Sequence, residues 1–413
     1  MMSLVGALLF GQSGGPSSVI NASACGVFET ASNIECITAV YGASHGIKGI
    51  LNEQLYDISK EDSQEIALLR NTPSSALGSV RYKLKNYQQD STDYEKILQV
   101  FTKYNIRYFL YNGGNDSMDT CNKISKFLAE RNYACQIIGV PKTIDNDLFG
   151  TDHCPGYGSA AKYIATTCME IALDAKVYGS GTATVIEIMG RNAGWLTAAS
   201  YVASSVGLGP DLIYLPERAF DVEKFLIDCE KVYAQKGNVI VAISEGIKDK
   251  DGVYITEYAT KNASKDSFNH VQLGGVGNYL GALLKVRLNA KTRPIEFSLM
   301  QRCAAHIASK TDVDEAYGAG KEAVISAIEG KTDIMIGIKR LNKEGYSTKF
   351  IDIPLVDVAN YEKKMPDAYI CGDNYVSPAF LDYVLPLIEG QNPVLYINGV
   401  PRFANLKKIL VKK

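Results

Sequence analysis

Two aspartates separated by one asparagine, with a lysine and a threonine just before them, form the segment Pro141-Lys142-Thr143-Ile144-Asp145-Asn146-Asp147. A carboxylate can take the proton from a hydroxyl as that hydroxyl attacks phosphorus, and a lysine can neutralise the phosphate in transfer. Asp145 and Asp147 could divide that work, one as base and one beside a metal; alone, the segment also suits a solvated acidic loop. Two glycine-rich segments offer the other half of such chemistry: Gly11-Gln12-Ser13-Gly14-Gly15-Pro16-Ser17-Ser18 and Asn112-Gly113-Gly114-Asn115-Asp116-Ser117. Glycine lets the backbone approach an anion closely, and a helix start supplies unpaired N–H groups. Asn115 and Asp116 carry oxygens of the kind a hard divalent cation prefers. Each glycine segment would equally serve as a capped turn. The Gly-Lys-Ser or Gly-Lys-Thr ending of a P-loop is absent, so a nucleotide or pyrophosphate site here is of another kind.

The surrounding sequence supplies elements that would position these residues. Short apolar runs alternate with segments of helical period, the pattern of an α/β protein with parallel strands and crossover helices. Leu4–Phe10, Ile106–Tyr111, Ala134–Val140, Thr182–Ile188 and Asn238–Ile243 read as strands. Each runs into a polar or glycine-rich loop, the place where such sheets bind ligands. Met189-Gly190-Arg191 and Ser244-Glu245-Gly246 stand at the last two strand ends. Gly156-Tyr157-Gly158 and Gly275-Val276-Gly277 imitate a dinucleotide fingerprint, but polar stretches precede both, and helix packing or capping is the better reading. Beyond Asp333, Ile334–Ile338 and Phe350–Leu355 read as further strands, with a closing helix near Phe380–Ile388.

At 413 residues the chain exceeds what one core serves. The division expected is 1–156 with about 302–355, and 157–301 with about 356–413. A net charge of −2 gives no global field for nucleic acid or an anionic membrane. Nine cysteines without CxxC pairs and four scattered histidines support neither a disulfide framework nor a zinc site. The apolar start lacks a basic flank and runs into a glycine loop, so it reads as a buried strand, and a cytoplasmic location is expected.

In order along the chain, the glycine-rich loop, GGNDS (113–117), PKTIDND (141–147), MGRNAGW (189–195) and SEG (244–246) resemble the phosphofructokinase family, from about Leu4 to Glu315. The resemblance implies two similar three-layer α/β domains with mainly parallel sheets, one binding a phosphoryl donor and the other fructose 6-phosphate, with Mg2+ required. It implies transfer to the sugar 1-hydroxyl in glycolysis and gluconeogenesis, and a homodimer or homotetramer with sites at subunit contacts. By the same resemblance Asp145 is the base, Asp147 its partner near the metal, Thr143 close to the transferring phosphate, and Arg191 a stabiliser of transition-state charge. Gly14, Gly15, Arg81, Gly114, Asn115, Asp116 and Ser117 match donor contacts, with Asn115 and Asp116 at the metal. Thr143, Met189, Gly190, Arg191, Glu245 and Arg302 match sugar-phosphate contacts, and Arg293 an arginine reaching the sugar 6-phosphate of a neighbouring subunit. Thr182 and Leu299 depart from the family's usual arginine and histidine, and Asn115 replaces an acid.

Donor choice turns on two positions. ATP-using members carry glycine where this chain has Asp116 and Lys142, as pyrophosphate-using members do. A carboxylate at 116 would repel a nucleotide α-phosphate, while Lys142 can hold the short, highly charged pyrophosphate. Pyrophosphate is the donor expected, with ATP the alternative. Asp116→Gly combined with Lys142→Gly is predicted to raise the KM for pyrophosphate and admit some ATP, read from product formation with each donor; unchanged pyrophosphate kinetics would sink the argument.

Overall fold

The structure is a computed structural model and describes residues 3–177, 181–259, 275–341, 344–359 and 361–412. In chain order the main strands are β1 (Gly6–Gln12), β2 (Ile37–Ala43), β3 (Leu55–Asp57), β4 (Ile106–Gly113), β5 (Gln136–Pro141), β6 (Thr182–Ile188), β7 (Leu212–Tyr214), β8 (Val239–Ser244), β9 (Lys291–Glu296), β10 (Ile334–Arg340) and β11 (Thr348–Pro354). The long helices are α1 (Ile20–Ala31), α2 (Thr92–Lys103), α3 (Asn115–Glu130), α4 (Tyr157–Ala175), α5 (Val222–Lys236), α6 (Val276–Leu288) and α7 (Lys310–Ile328). The chain packs as two units, one of Met1–Ser159, Arg302–Glu362 and Gly390–Lys413, the other of Ala160–Gln301 and Lys363–Glu389.

The first unit holds a seven-stranded sheet in the order β11-β10-β5-β4-β1-β2-β3. Neighbours from β10 to β2 run parallel, and only β3 and β11 are antiparallel. Its inner strands are apolar on both faces because both are covered. Leu9, Phe109, Tyr111 and Ile137 pack on one side with Tyr94, Phe101, Ile124 and Phe127 of α2 and α3. Leu8, Phe10, Leu110 and Ile138 pack on the other with Phe28 of α1 and Val324 of α7. The register brings Gln12 beside Asn112, and Gly113 beside Pro141, so β1, β4 and β5 end at one level and release three loops side by side.

The second unit holds a wholly parallel sheet, β7-β8-β6-β9, in which Ile188 is level with Ser244. Phe225, Leu226 and Cys229 of α5 and Leu280 and Leu284 of α6 close its core. The C-terminal stretch departs from the expected division. Residues 356–362 and 390–413 belong to the first unit, where Asp57 N donates to Ile409 O at 2.9 Å and Val411 N to Leu55 O at 2.8 Å. The tail thereby covers the open edge of β3, backbone that would otherwise stay unpaired. Only Lys363–Glu389 stays with the second unit. The expected closing helix is there, running as Ala379–Val384 into a 3₁₀ turn at Leu385–Ile388 where Pro386 interrupts it.

Helices α1 and α7 approach closely through two glycines. A Cβ on Gly26 would meet Lys321 N at 3.1 Å, and one on Gly320 would meet Ser23 Cα at 3.1 Å. Since α1 carries the first glycine loop at its start, this contact sets that loop's seat. Gly26→Ala is predicted to overpack the contact and destabilise the first unit by about 1–3 kcal/mol, seen as a lower urea midpoint; an unmoved midpoint would count against it.

Candidate active site

The first unit gathers the donor and acidic residues at the level ends of β1, β4 and β5. Gln12 is fully buried and works as a clamp. Its Nε2 donates to Asn21 Oδ1 at 2.9 Å, while its Oε1 accepts from Ser75 Oγ at 2.8 Å and Leu77 N at 3.0 Å. Ser79 Oγ donates to Gly14 O at 2.6 Å, which draws the 75–81 loop, and with it the exposed Arg81, to the glycine turn. Gly14 has φ +75°, the left-handed region that favours glycine.

Lys142 fills the floor of this turn. It is 4% exposed, and its Nζ donates to Gly15 O at 2.7 Å. A Cβ on Gly14 would lie 3.3 Å from that Nζ, and one on Gly15 would lie 3.1 Å from Arg302 Nη1. Arg302, expected among the sugar contacts, therefore stands at the glycine loop of the first unit. Burial pushes the Lys142 ammonium down to about 8; Asp145 and Asp147 oppose the fall, and Arg302 and Arg81 add to it. Three cations so close together, one of them buried, form a surface for a multiply charged anion.

Helix α3 begins at Asn115 with Gly114 at its N-cap and no side-chain hydrogen bond from that cap, and a helix start of this kind faces an anion favourably through its dipole. Ser117 packs over Gly113. Asn115 Nδ2 donates to Tyr361 O at 2.8 Å, and its Oδ1 is buried with no hydrogen-bond partner among the described residues. That orphaned oxygen and the half-buried carboxylates of Asp116, Asp145 and Asp147 are oxygens of the kind Mg2+ prefers. No group of three His, Cys, Asp or Glu that could hold an ion by itself occurs among the described residues.

The PKTIDND loop turns on Asn146. Its φ of +57° is one that asparagine tolerates, and its Oδ1 accepts from Cys154 N at 2.9 Å. The residue between the two aspartates is thus the hinge of the loop. Asp145 N donates to Thr143 Oγ1 at 3.1 Å. Asp147 is held above the usual carboxylate range, first by burial and then by the charges of Asp145 and Glu362, the latter beside it through the Leu148–Glu362 bridge.

The second unit brings Met189, Gly190, Arg191 and Glu245 together where β6 and β8 end. Glu245 N donates to Ile188 O at 2.9 Å, and Ser244 Oγ to Gly190 O at 2.6 Å. Gly190 N reaches Glu245 Oε1 at 3.4 Å. Burial pushes Glu245 up to about 7, although Gly190 N–H and Arg191 pull it down. Arg191 Nε is buried with no hydrogen-bond partner among the described residues, a donor open to an anion. Arg293 is apart from this group. It lies level with Thr184 and pairs with Asp174 at 2.6 Å; five residues short of Met189, that is roughly 16 Å along the strand. Leu299 is exposed and Thr182 buried.

Some supports were not foreseen. Glu217 accepts from Gly194 N at 2.8 Å and Met365 N at 3.2 Å, fixing the turn after Arg191. Trp195 donates from Nε1 to Lys363 O at 3.2 Å, packs on Tyr383 at 5.0 Å, and has the Lys363 ammonium 5.1 Å from its ring. Lys363 therefore serves that turn. The two glycine decoys are capping sites: Gly156 N donates to Asp312 Oδ1 and Gly277 N to Glu187 Oε2, both at 2.8 Å. A polar residue closing an apolar strand, as at Gln12 and Glu187, is the signal that would have found the supports of this kind.

A phosphofructokinase family model matches residues 7–296, most of the chain and every motif but the last arginine at 302. The chain belongs to the phosphofructokinase family. The pyrophosphate–fructose 6-phosphate 1-phosphotransferase of Xanthomonas campestris pv. campestris is 44% identical over 416 residues, covering 99% of this chain and 98% of its own. That of Methylococcus capsulatus is 42% identical over 409 residues, covering 98% and 96%. Among solved structures, the pyrophosphate-dependent phosphofructokinase of Nitrosospira multiformis superposes with a TM-score of 0.90 at 39% identity, covering 99% of this chain and 98% of that one.

The buried Lys142 ammonium releases its proton near 8, so if it holds the anionic donor as a cation, kcat/KM for the donor is predicted to fall as pH rises above about 8. A pH profile taken at limiting pyrophosphate checks this, and an unbroken rise to pH ~10 would contradict it.

Proposed function

We propose that this chain transfers a phosphoryl group from pyrophosphate to the 1-hydroxyl of fructose 6-phosphate, giving fructose 1,6-bisphosphate and phosphate. The observation that carries the reading is the buried Lys142 ammonium on Gly15 O, a fixed cation in the turn where a phosphate chain would lie. The names of the close relatives agree with it.

In this reading the first unit binds pyrophosphate through Lys142, Arg81, the Gly14–Gly15 turn and the start of α3, with Gly114, Asn115, Asp116 and Ser117. Asn115 and Asp116 would hold Mg2+, which supplies charge neutralisation on the donor oxygens. The second unit binds the sugar phosphate through Met189, Gly190, Arg191 and Glu245, and Thr143 lies near the transferring group. Arg302 serves the sugar phosphate while standing beside the donor turn, and Arg293 serves a neighbouring subunit of a homodimer or homotetramer. Asp145 takes the hydroxyl proton as the sugar oxygen bonds to phosphorus and the bridging P–O bond breaks; phosphate leaves with that electron pair. Asp147, held above its usual range, is poised to share a proton with Asp145. No covalent enzyme intermediate is needed, and since pyrophosphate and fructose 1,6-bisphosphate can each donate a phosphoryl group, the reaction runs in either direction.

Purified protein given fructose 6-phosphate and Mg2+ is expected to form the bisphosphate with pyrophosphate and not with ATP. Asp145→Ala should lower kcat by roughly 10²- to 10⁴-fold while sugar-phosphate binding, measured by calorimetry, is retained. Product with ATP alone would overturn the donor assignment, and near-normal turnover in the variant would remove Asp145 as base.

A further inference from the structure

The loop carrying Asp145 and Asp147 leaves β5 and returns through Thr151, Asp152 and His153 to α4. Its returning limb is spliced onto β10: Asp152 N donates to Ile338 O at 2.8 Å, and Ile338 N to Thr151 Oγ1 at 2.9 Å. The bond from Cys154 N to Asn146 Oδ1 then ties this limb to the residue between the two aspartates. Whatever fixes position 153 therefore fixes the hinge on which Asp145 turns.

His153 is 2% exposed, with Nδ1 2.9 Å from Asp152 Oδ1 and Nε2 2.6 Å from Glu315 Oε2. A carboxylate only accepts hydrogen bonds, and a neutral imidazole has one N–H and one lone pair. A neutral ring would set that lone pair against a carboxylate oxygen at one end; the cation donates to both. Glu315 is held in this pose because its Oε1 accepts from Tyr346 OH at 2.7 Å and Thr348 Oγ1 at 3.0 Å. The groups facing the ring from each packed element are Asp152 on the loop, Glu315 on α7, Arg340 of β10, which pairs with Asp152 at 3.2 Å, and Tyr346, whose hydroxyl is 3.4 Å from Nε2; Asp312, one turn before Glu315, accepts instead from Gly156 N and Ser159 N. The acids outnumber the single guanidinium, so the ring's charge balances the cluster. Burial by itself would lower the imidazole, yet Glu315 and Asp152 outweigh it and hold the ring above its usual range.

We propose that His153 is a positioning residue that works as an imidazolium, clamped between Asp152 and Glu315, and that it sets the placement of Asp145 without touching substrate. The kinetic part rests on Asp145 being the base. A ring whose folded pKa is raised keeps the clamp below the ordinary histidine range and loses it as pH rises through that raised pKa. Nitrogen-resolved NMR of the intact chain with labelled histidine should show both His153 ring nitrogens protonated at about pH 7.5, a unit above where an ordinary histidine has lost its second proton. His153→Gln should lower kcat about tenfold or more, with KM for pyrophosphate within about twofold of the wild type. Glu315→Gln leaves the ring one carboxylate and should move the alkaline limb of kcat to lower pH by about one unit or more. A singly protonated ring in the wild type, or wild-type kcat and pH limb in both variants, would overturn the clamp; if His153→Gln does not fold, the NMR result and Glu315→Gln decide. A doubly protonated ring in a wild type without turnover would support the clamp and count against the kinase reading instead.

Discussion

Three parallel strands ending at the same level are the constraint on which the donor side depends. Because Gln12 is in register with Asn112, and Gly113 with Pro141, the residues that follow each strand emerge as neighbours although the first pair is 100 positions apart and the second 28. A one-residue slip would turn every side chain on a strand to the opposite face and separate the glycine turn from Lys142. The apolar layers on both faces of the sheet make such a slip costly, so the precision of a polar site is inherited from packing that has no polar chemistry of its own.

Charge is then concentrated by burial. In the first unit Lys142, Arg81 and Arg302 influence one another near Asp145, Asp147 and Glu362. Neither sign dominates, and both Lys142 and Asp147 are displaced toward their neutral forms. The second unit repeats the arrangement with Glu187 and Glu245, each pushed up to about 7 mainly by burial, around Arg191. Groups poised near neutrality can exchange protons and charge with a ligand at small energetic cost, whereas fully solvated ones would keep their ordinary ionisation.

The strands, the crossover helices and the segments 11–18, 112–117, 141–147, 189–191 and 244–246 were legible because parallel strands buried on both faces read as unbroken apolar runs that stop at their loops. Less legible were the pairings made across great sequence distance. Asp312 and Glu315 sit in a helix whose pattern gives no hint that two of its acids hold a loop around residue 153. Gln12 was visible only as part of a glycine motif, not as the clamp that organises 75–79. The tail was misassigned because its attachment to β3 is a backbone pairing, and backbone pairing leaves no signature in side-chain composition. Arg302 shows the same limit: the family resemblance pointed to a sugar phosphate, while its place beside Gly15 is a tertiary fact.

Trp195 has a use that its packing makes possible. It is the chain's one tryptophan, it lies four residues after Arg191, and its ring is wedged against Tyr383 beneath the Lys363 ammonium. Light absorbed at the red edge, where tyrosine is transparent, is taken up by this indole alone. The intrinsic fluorescence of the protein is accordingly a single-site signal from the turn behind Arg191, and its colour and lifetime report the packing of that turn with no label attached.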